Sequence, residues 1–329
     1  MPMPSESAPA PDAATPWSGY SHRAGEERGL SLTWSAGGPR LRSQAAVWHY
    51  RAVSGAAAHG PTPAPRLLMI HGFRGDHHGM QLMVDALPEF EIFVPDLPGF
   101  NATPPVTDDA GNRVEHTLAV YSGFVGALAE ALQLTEEDVL AGHSFGTIVT
   151  AAHVAETQRP WAGLVLSAPI STGVFTWPLI LGAAGVEAYY EAARLLPVRA
   201  ADALLRSRAV MELTNRTLGA GADLELTAYV RDQHAKHFGG YTDRQTLIEA
   251  YRASSRHTVT QHAPDLDLPV LVLPGTKDQL STRRGLKALR GALPDARMEM
   301  IRDVGHLIHY AKPAETARAV KRFLADLKT

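Results

Sequence analysis

Six short apolar runs, five of them stopped by a turn residue, restrict this chain to very few folds. They are Leu67–Ile70 before His71-Gly72, Glu91–Val94 before Pro95-Asp96, Val139–Ala141 before Gly142, Gly163–Leu166 before Ser167-Ala168-Pro169, Val270–Leu273 before Pro274-Gly275, and Met298–Ile301. Runs of four or so apolar residues without a polar alternate suit strands buried on both faces. Between them lie segments with helical spacing. Thr117–Leu134 sets Leu118, Tyr121, Val125, Leu128 and Leu132 on one side, Thr147–Glu156 follows the third run, and Pro313–Leu327 groups Val320, Phe323, Leu324 and Leu327. Strand and helix in alternation predict an α/β architecture, a mainly parallel sheet covered by helices on both faces.

Two stretches depart from that rhythm. Leu30–Trp34 and Arg40–Tyr50 flank Ser35-Ala36-Gly37-Gly38-Pro39, so an N-terminal antiparallel hairpin is expected. Ile170–His262 contains no clear strand but has helix-like pieces at Val186–Leu196, Ala200–Leu218, Leu224–His237 and Arg244–His257. This is a helical insertion, after which the sheet resumes. Met1–Pro16 is rich in Pro, Ala and Ser, lacks a basic start and an apolar stretch, and is expected to be a disordered tail rather than a secretion signal. Ser54–Pro65 reads as a loop.

Composition removes several function classes. The 329 residues carry a net charge of −3, with no basic excess for nucleic acid or an anionic membrane. No apolar run approaches the ~18 residues of a membrane span. There is no cysteine, which excludes disulfides, thiolate metal sites and a Cys nucleophile. A cytoplasmic protein acting on a small molecule, without a cofactor and with a homodimer as a possible assembly, is the expectation.

Gly142-His143-Ser144-Phe145-Gly146 matches G-x-S-x-G between an apolar run and a helical segment. In that setting the serine sits on a sharp strand-to-helix turn, and bulkier residues two positions either side would clash with it. The alternative is a glycine-rich turn with a capping serine. No Walker or dinucleotide-binding glycine pattern follows the first strand of the sheet.

With His71-Gly72-Phe73, Asp96-Leu97-Pro98-Gly99-Phe100, Gly275-Thr276-Lys277-Asp278 and Gly305-His306, the pentapeptide resembles the α/β-hydrolase superfamily over most of residues 65–170 and 264–325. Each motif follows an apolar run, and the order Ser, Asp, His is the one this superfamily uses. The resemblance implies an eight-stranded sheet, a core at 17–170 and 263–329, and a helical cap at 171–262, after the strand near 163–167. It implies Ser144 as nucleophile, His306 as base and Asp278 as the acid that orients the imidazole. His309 is a rival base. Asp265 and Asp267 precede their strand, and Asp303 lies too near His306 in sequence to fold back on it. The superfamily assigns the oxyanion donors to the backbone N–H groups of Phe145 and Phe73.

Arg74-Gly75-Asp76-His77-His78-Gly79 is dense in polar residues. Adjacent side chains point apart and no third His stands at a convincing spacing, so no metal site is expected there. Arg74 or His77 is a candidate for an acidic substrate group, and Phe175, Trp177, Tyr189 and Tyr190 are candidates to line an apolar pocket. The expected activity is ester hydrolysis through an acyl-enzyme. C–C bond hydrolysis of a vinylogous diketone and a non-catalytic ligand receptor are the alternatives. A serine, rather than an aspartate, at 144 argues against dehalogenase or epoxide-hydrolase chemistry.

Overall fold

The computed structural model describes residues 23–53, 64–177, 179–218 and 224–327. The expected tail at 1–16 and most of the loop at 54–65 lie outside them. In chain order the elements begin with β1 (Glu26–Ser35), β2 (Arg40–Tyr50), β3 (Arg66–Ile70), a 3-10 turn (His77–Met80), α1 (Gln81–Ala86), β4 (Glu91–Pro95), β5 (Thr107–Asp108) and α2 (Leu118–Ala131). Next come β6 (Val139–His143), α3 (Phe145–Thr157), β7 (Gly163–Ser167), α4 (Ile180–Leu195), α5 (Val198–Leu205), α6 (Arg208–Leu218), α7 (Leu224–His237), α8 (Arg244–Ser255) and α9 (Val259–His262). The chain closes with β8 (Val270–Leu273), α10 (Arg283–Ala292), β9 (Ala296–Met298), α11 (Ile308–Ala311) and α12 (Pro313–Asp326).

The strands form one sheet in the order β1-β2-β4-β3-β6-β7-β8-β9, with β5 paired to β2. From β4 to β9 every pairing is parallel, while β1, β2 and β5 pair antiparallel. The apolar runs are continuous because successive residues enter different cores. Leu68, Ile70, Leu140, Leu164, Val270 and Val272 pack with Phe124, Leu128, Ile148 and Val149 of α2 and α3. Their neighbours Leu67, Met69, Val139, Val165, Leu271 and Leu273 pack with Met83, Val84, Val320 and Phe323 of α1 and α12. A polar residue at any of these positions would face a helix rather than water.

Three expectations need correction. The sixth run was expected to be a strand at Met298–Ile301, but the paired strand is Ala296–Met298, and Ile301 returns only as a single bridge to Gly275. This is the edge of the sheet, and Met300 is exposed, so the apolar run does not mark the strand there. The helix expected over Ala200–Leu218 breaks into α5 and α6 at Arg206, whose guanidinium lies over the Tyr241 ring at 4.8 Å. β5, two residues long, is too short to leave a pattern in the sequence, and it raises the strand count from eight to nine.

Candidate active site

β6 ends at His143 and α3 begins at Phe145, so Ser144 carries the whole reversal, with φ 54° and ψ −119°. That backbone is costly for any residue with a Cβ. It persists because the elements around it leave no alternative. A Cβ on Gly142 would stand 2.4 Å from the Gly146 carbonyl oxygen, and one on Gly146 would stand 2.2 Å from the Ile70 oxygen. Glycine at both positions is therefore a requirement of packing between β3, β6 and α3.

The other two candidate residues arrive from the far half of the sheet. Asp278 follows β8 and His306 follows β9, and their loops meet at Gly275, where a Cβ would stand 2.3 Å from the Gly305 oxygen. His306 Nδ1 lies 3.0 Å from Asp278 Oδ2, and His306 Nε2 lies 2.7 Å from Ser144 Oγ. Both His306 and Asp278 are buried. Burial by itself pushes the Asp278 carboxyl up. The adjacent imidazole and the N–H groups of Leu280 and Ser281 outweigh that and hold it below the usual carboxylate range. An ionised carboxylate only accepts, so Nδ1 of His306 carries the proton. Nε2 is left to accept from the Ser144 hydroxyl.

The other nearby imidazoles are occupied differently. His309, the rival base, is buried against His143, with ring centroids 3.9 Å apart. Burial, reinforced by His306, pushes His309 well below the usual histidine range, and burial does the same to His143. Both rings stay neutral. His71 accepts from the Leu97 N–H through Nε2 at 2.8 Å, and its Nδ1 donates to the Gly72 carbonyl at 2.8 Å. It thereby ties the loop after β3 to the loop after β4, and burial keeps it uncharged.

Phe73 and Phe145 flank the turn. A Cβ on Gly72 would stand 3.1 Å from the Ser144 Cβ, so the chain entering Phe73 runs directly against the serine. The Phe145 ring is buried edge-on to Tyr121, while its amide belongs to the first residue of α3. The Phe73 ring meets Phe100, Tyr190 and Tyr251 at centroid distances of 6.0–6.3 Å. Helices α4 and α8, which bear the two tyrosines, thus reach the loop beside Ser144.

Three of the six candidate binding residues gather: the Arg74 guanidinium lies within hydrogen-bonding reach of the Tyr189 and Tyr190 hydroxyls, whose rings stand 4.9 Å apart. Tyr190 stacks on Tyr251 at 4.1 Å, but the Tyr189 hydroxyl donates to the Leu204 carbonyl. Phe175 and Trp177 face solvent, Trp177 at 76% exposure. His77 is buried, with its backbone N–H and Nδ1 on Asp96 Oδ1 and its ring stacked on Trp48 at 3.3 Å. That places His77 among β2 and β4 rather than at a mouth. Arg74 is buried too, donating to the Leu205 carbonyl at 2.9 Å beneath Phe238 and Tyr241. It joins the loop after β3 to the insertion. The Asp96 carboxylate, which also accepts from Asn101 and the Ala102 N–H, is a hub that motif reading missed. Its signal was the lone acid in a motif that otherwise supplies turn residues.

A family profile described as alpha/beta hydrolase fold matches residues 65–313. Lipase 3 of Moraxella sp. (strain TA144) is 22% identical over 276 residues, covering 80% of this chain and 78% of its own. Monoacylglycerol lipase abhd6-B of Xenopus laevis is 24% identical over 285 residues, covering 82% and 78%. Among solved structures, a thermophilic esterase from Thermogutta terrifontis superposes with a TM-score of 0.66 at 21% identity, covering 92% of this chain and all of that one.

Proposed function

The chain belongs to the α/β-hydrolase fold family, and on that premise we propose that it is a serine hydrolase acting on carboxylic esters of small to medium, partly hydrophobic substrates. The observation that carries this reading is the hydrogen-bonded chain from Ser144 through His306 to Asp278, built on a turn whose strained serine is held by packing. The similarity to lipases and an esterase agrees with it.

In this mechanism Ser144 Oγ attacks the ester carbonyl while His306 Nε2 takes its proton, and Asp278 stabilises the imidazolium. The carbonyl oxygen becomes an oxyanion facing the N–H groups of Phe73 and Phe145. Each such donor is worth about 3–4 kcal/mol in the transition state. His306 returns the proton to the departing alcohol. Water, deprotonated by the same imidazole, then releases the acid and frees Ser144. Residues 171–262 act as a cap, with Tyr190 and Tyr251 over the acyl side.

The test is covalent labelling by a fluorophosphonate alongside turnover of nitrophenyl esters of graded chain length and of a ring-fission diketone. Labelling at Ser144, lost in Ser144→Ala, with ester turnover is the expected result. Diketone cleavage without ester turnover would move the assignment to C–C hydrolysis. Absence of labelling in folded protein would overturn it.

A further inference from the structure

The loop after β3 carries a second cluster that ester chemistry leaves unused. Asp76, His78 and His237 each offer a ligand atom, and these atoms all lie within 4.8 Å of one another. Sequence spacing hides the grouping, because His237 ends α7, far along the chain in the insertion. The two imidazoles stack, with centroids 3.7 Å apart. Asp76 is buried, and its two oxygens are treated differently. Oδ1 accepts from the His78 N–H at 2.9 Å and lies 3.1 Å from His78 Nδ1, while Oδ2 is buried with no hydrogen-bond partner among the described residues. A carboxylate oxygen withdrawn from water without a partner is costly, and a cation is the partner that satisfies it best. His77 takes no part, although its ring touches that of His78 at 3.8 Å, because its Nδ1 is engaged by Asp96 and its ring is stacked on Trp48.

The geometry points to a metal site: Asp76, His78 and His237 bind one divalent transition-metal ion, with Zn2+ the best chemical match. Two imidazoles and one carboxylate are a borderline donor set of the kind that zinc accepts, with water completing a tetrahedron. Ligand atoms about 2.0–2.1 Å from a common zinc stand roughly 3.3 Å apart, which small side-chain rotations reach from the present separation. His78 and His237 are half-buried, so an ion has a way in. Bound there, it fastens α7 to the loop that also holds Phe73 and Arg74, joining the insertion to the core.

The experiment uses the full chain, stripped by chelator and dialysed. Zn2+ is titrated calorimetrically, Co2+ serves as a spectroscopic probe, and melting is followed with and without Zn2+. The expected result is one ion per chain, visible-region bands of tetrahedral Co2+, and a rise in Tm of at least about 2 °C. His237→Gln and His78→Gln weaken binding at least about 10-fold and remove the rise. If His78→Gln fails to fold, His237→Gln, at the end of its helix, decides alone. No binding by the native chain overturns the proposal, as does undiminished binding in the variants, which would assign the ion to others among the fifteen histidines. None of these readouts depends on ester hydrolysis.

Discussion

Ser144 sits at φ 54°, in a region that glycine enters freely and serine does not. Ser144→Gly should therefore abolish turnover yet melt no lower than the native chain, because released strain offsets the lost side chain. A fall of more than a few degrees by calorimetry would show the turn unstrained. The flanking glycines behave in the opposite way. Gly146→Ala drives a Cβ into the Ile70 carbonyl, and a loss of at least about 3 kcal/mol is expected, seen as insoluble or strongly destabilised protein. Asp278→Asn should reduce kcat by about 10³–10⁴-fold with melting little changed, because Asn can donate to Nδ1 and favour the wrong tautomer. These residues were legible because each is a glycine, acid, histidine or serine at a strand end, where chemistry and local geometry coincide. Arg74 and His77 were not legible in the same way. Their type allowed a substrate contact, but their surroundings come from α5, β2 and β4, which no local pattern reports.

Among the elements, α8 is fixed to the core through Glu249, which pairs with Arg113 at 2.5 Å and accepts from the His116 N–H at 3.0 Å. Burial alone pushes the Glu249 carboxyl up, but His116 and Arg113 prevail and hold it near 2, against an ordinary value of 4.5. A depressed acid supplies stability that is complete above its unfolded value and drains away as pH falls through the folded one. Glu249→Gln should thus lower stability by about 1–3 kcal/mol at pH 7. The gap between native and variant should close between about pH 4.5 and 2 in denaturant titrations. A gap that persisted unchanged at pH 2 would mean that the pairing contributes little. Interior strands could be read from the sequence because burial on both faces demands uninterrupted apolar runs. β9 could not be placed as well, since all three of its residues are only half-buried at the sheet edge. The break between α5 and α6 was also hidden, because neither Gly nor Pro marks it.

At the scale of the molecule, stability is unevenly distributed. β3, β6, β7 and β8 are buried on both faces, whereas α4 buries only Ala183, Tyr190 and Ala193 among its 16 residues. Hydrogen exchange should therefore run fastest, among regular elements, in α4–α6 and slowest in β6 and β7. Equal protection in both would show that the insertion is as firmly integrated as the sheet. The alternation of strands and helices in the sequence announced the layered core, while the meeting of α7 with the loop after β3 had no signature, since it joins positions far apart in the chain. One feature of the topology bears on how such proteins diversify. The excursion that begins after β7 leaves the core at Ile170, and the chain comes back to that point at Val259, whose N–H donates to the Ile170 carbonyl at 2.9 Å. Its entrance and exit therefore stand side by side, like the two ends of a cassette. A lineage can exchange everything between them in a single recombination and acquire a new selectivity, leaving the serine, aspartate and histidine in register.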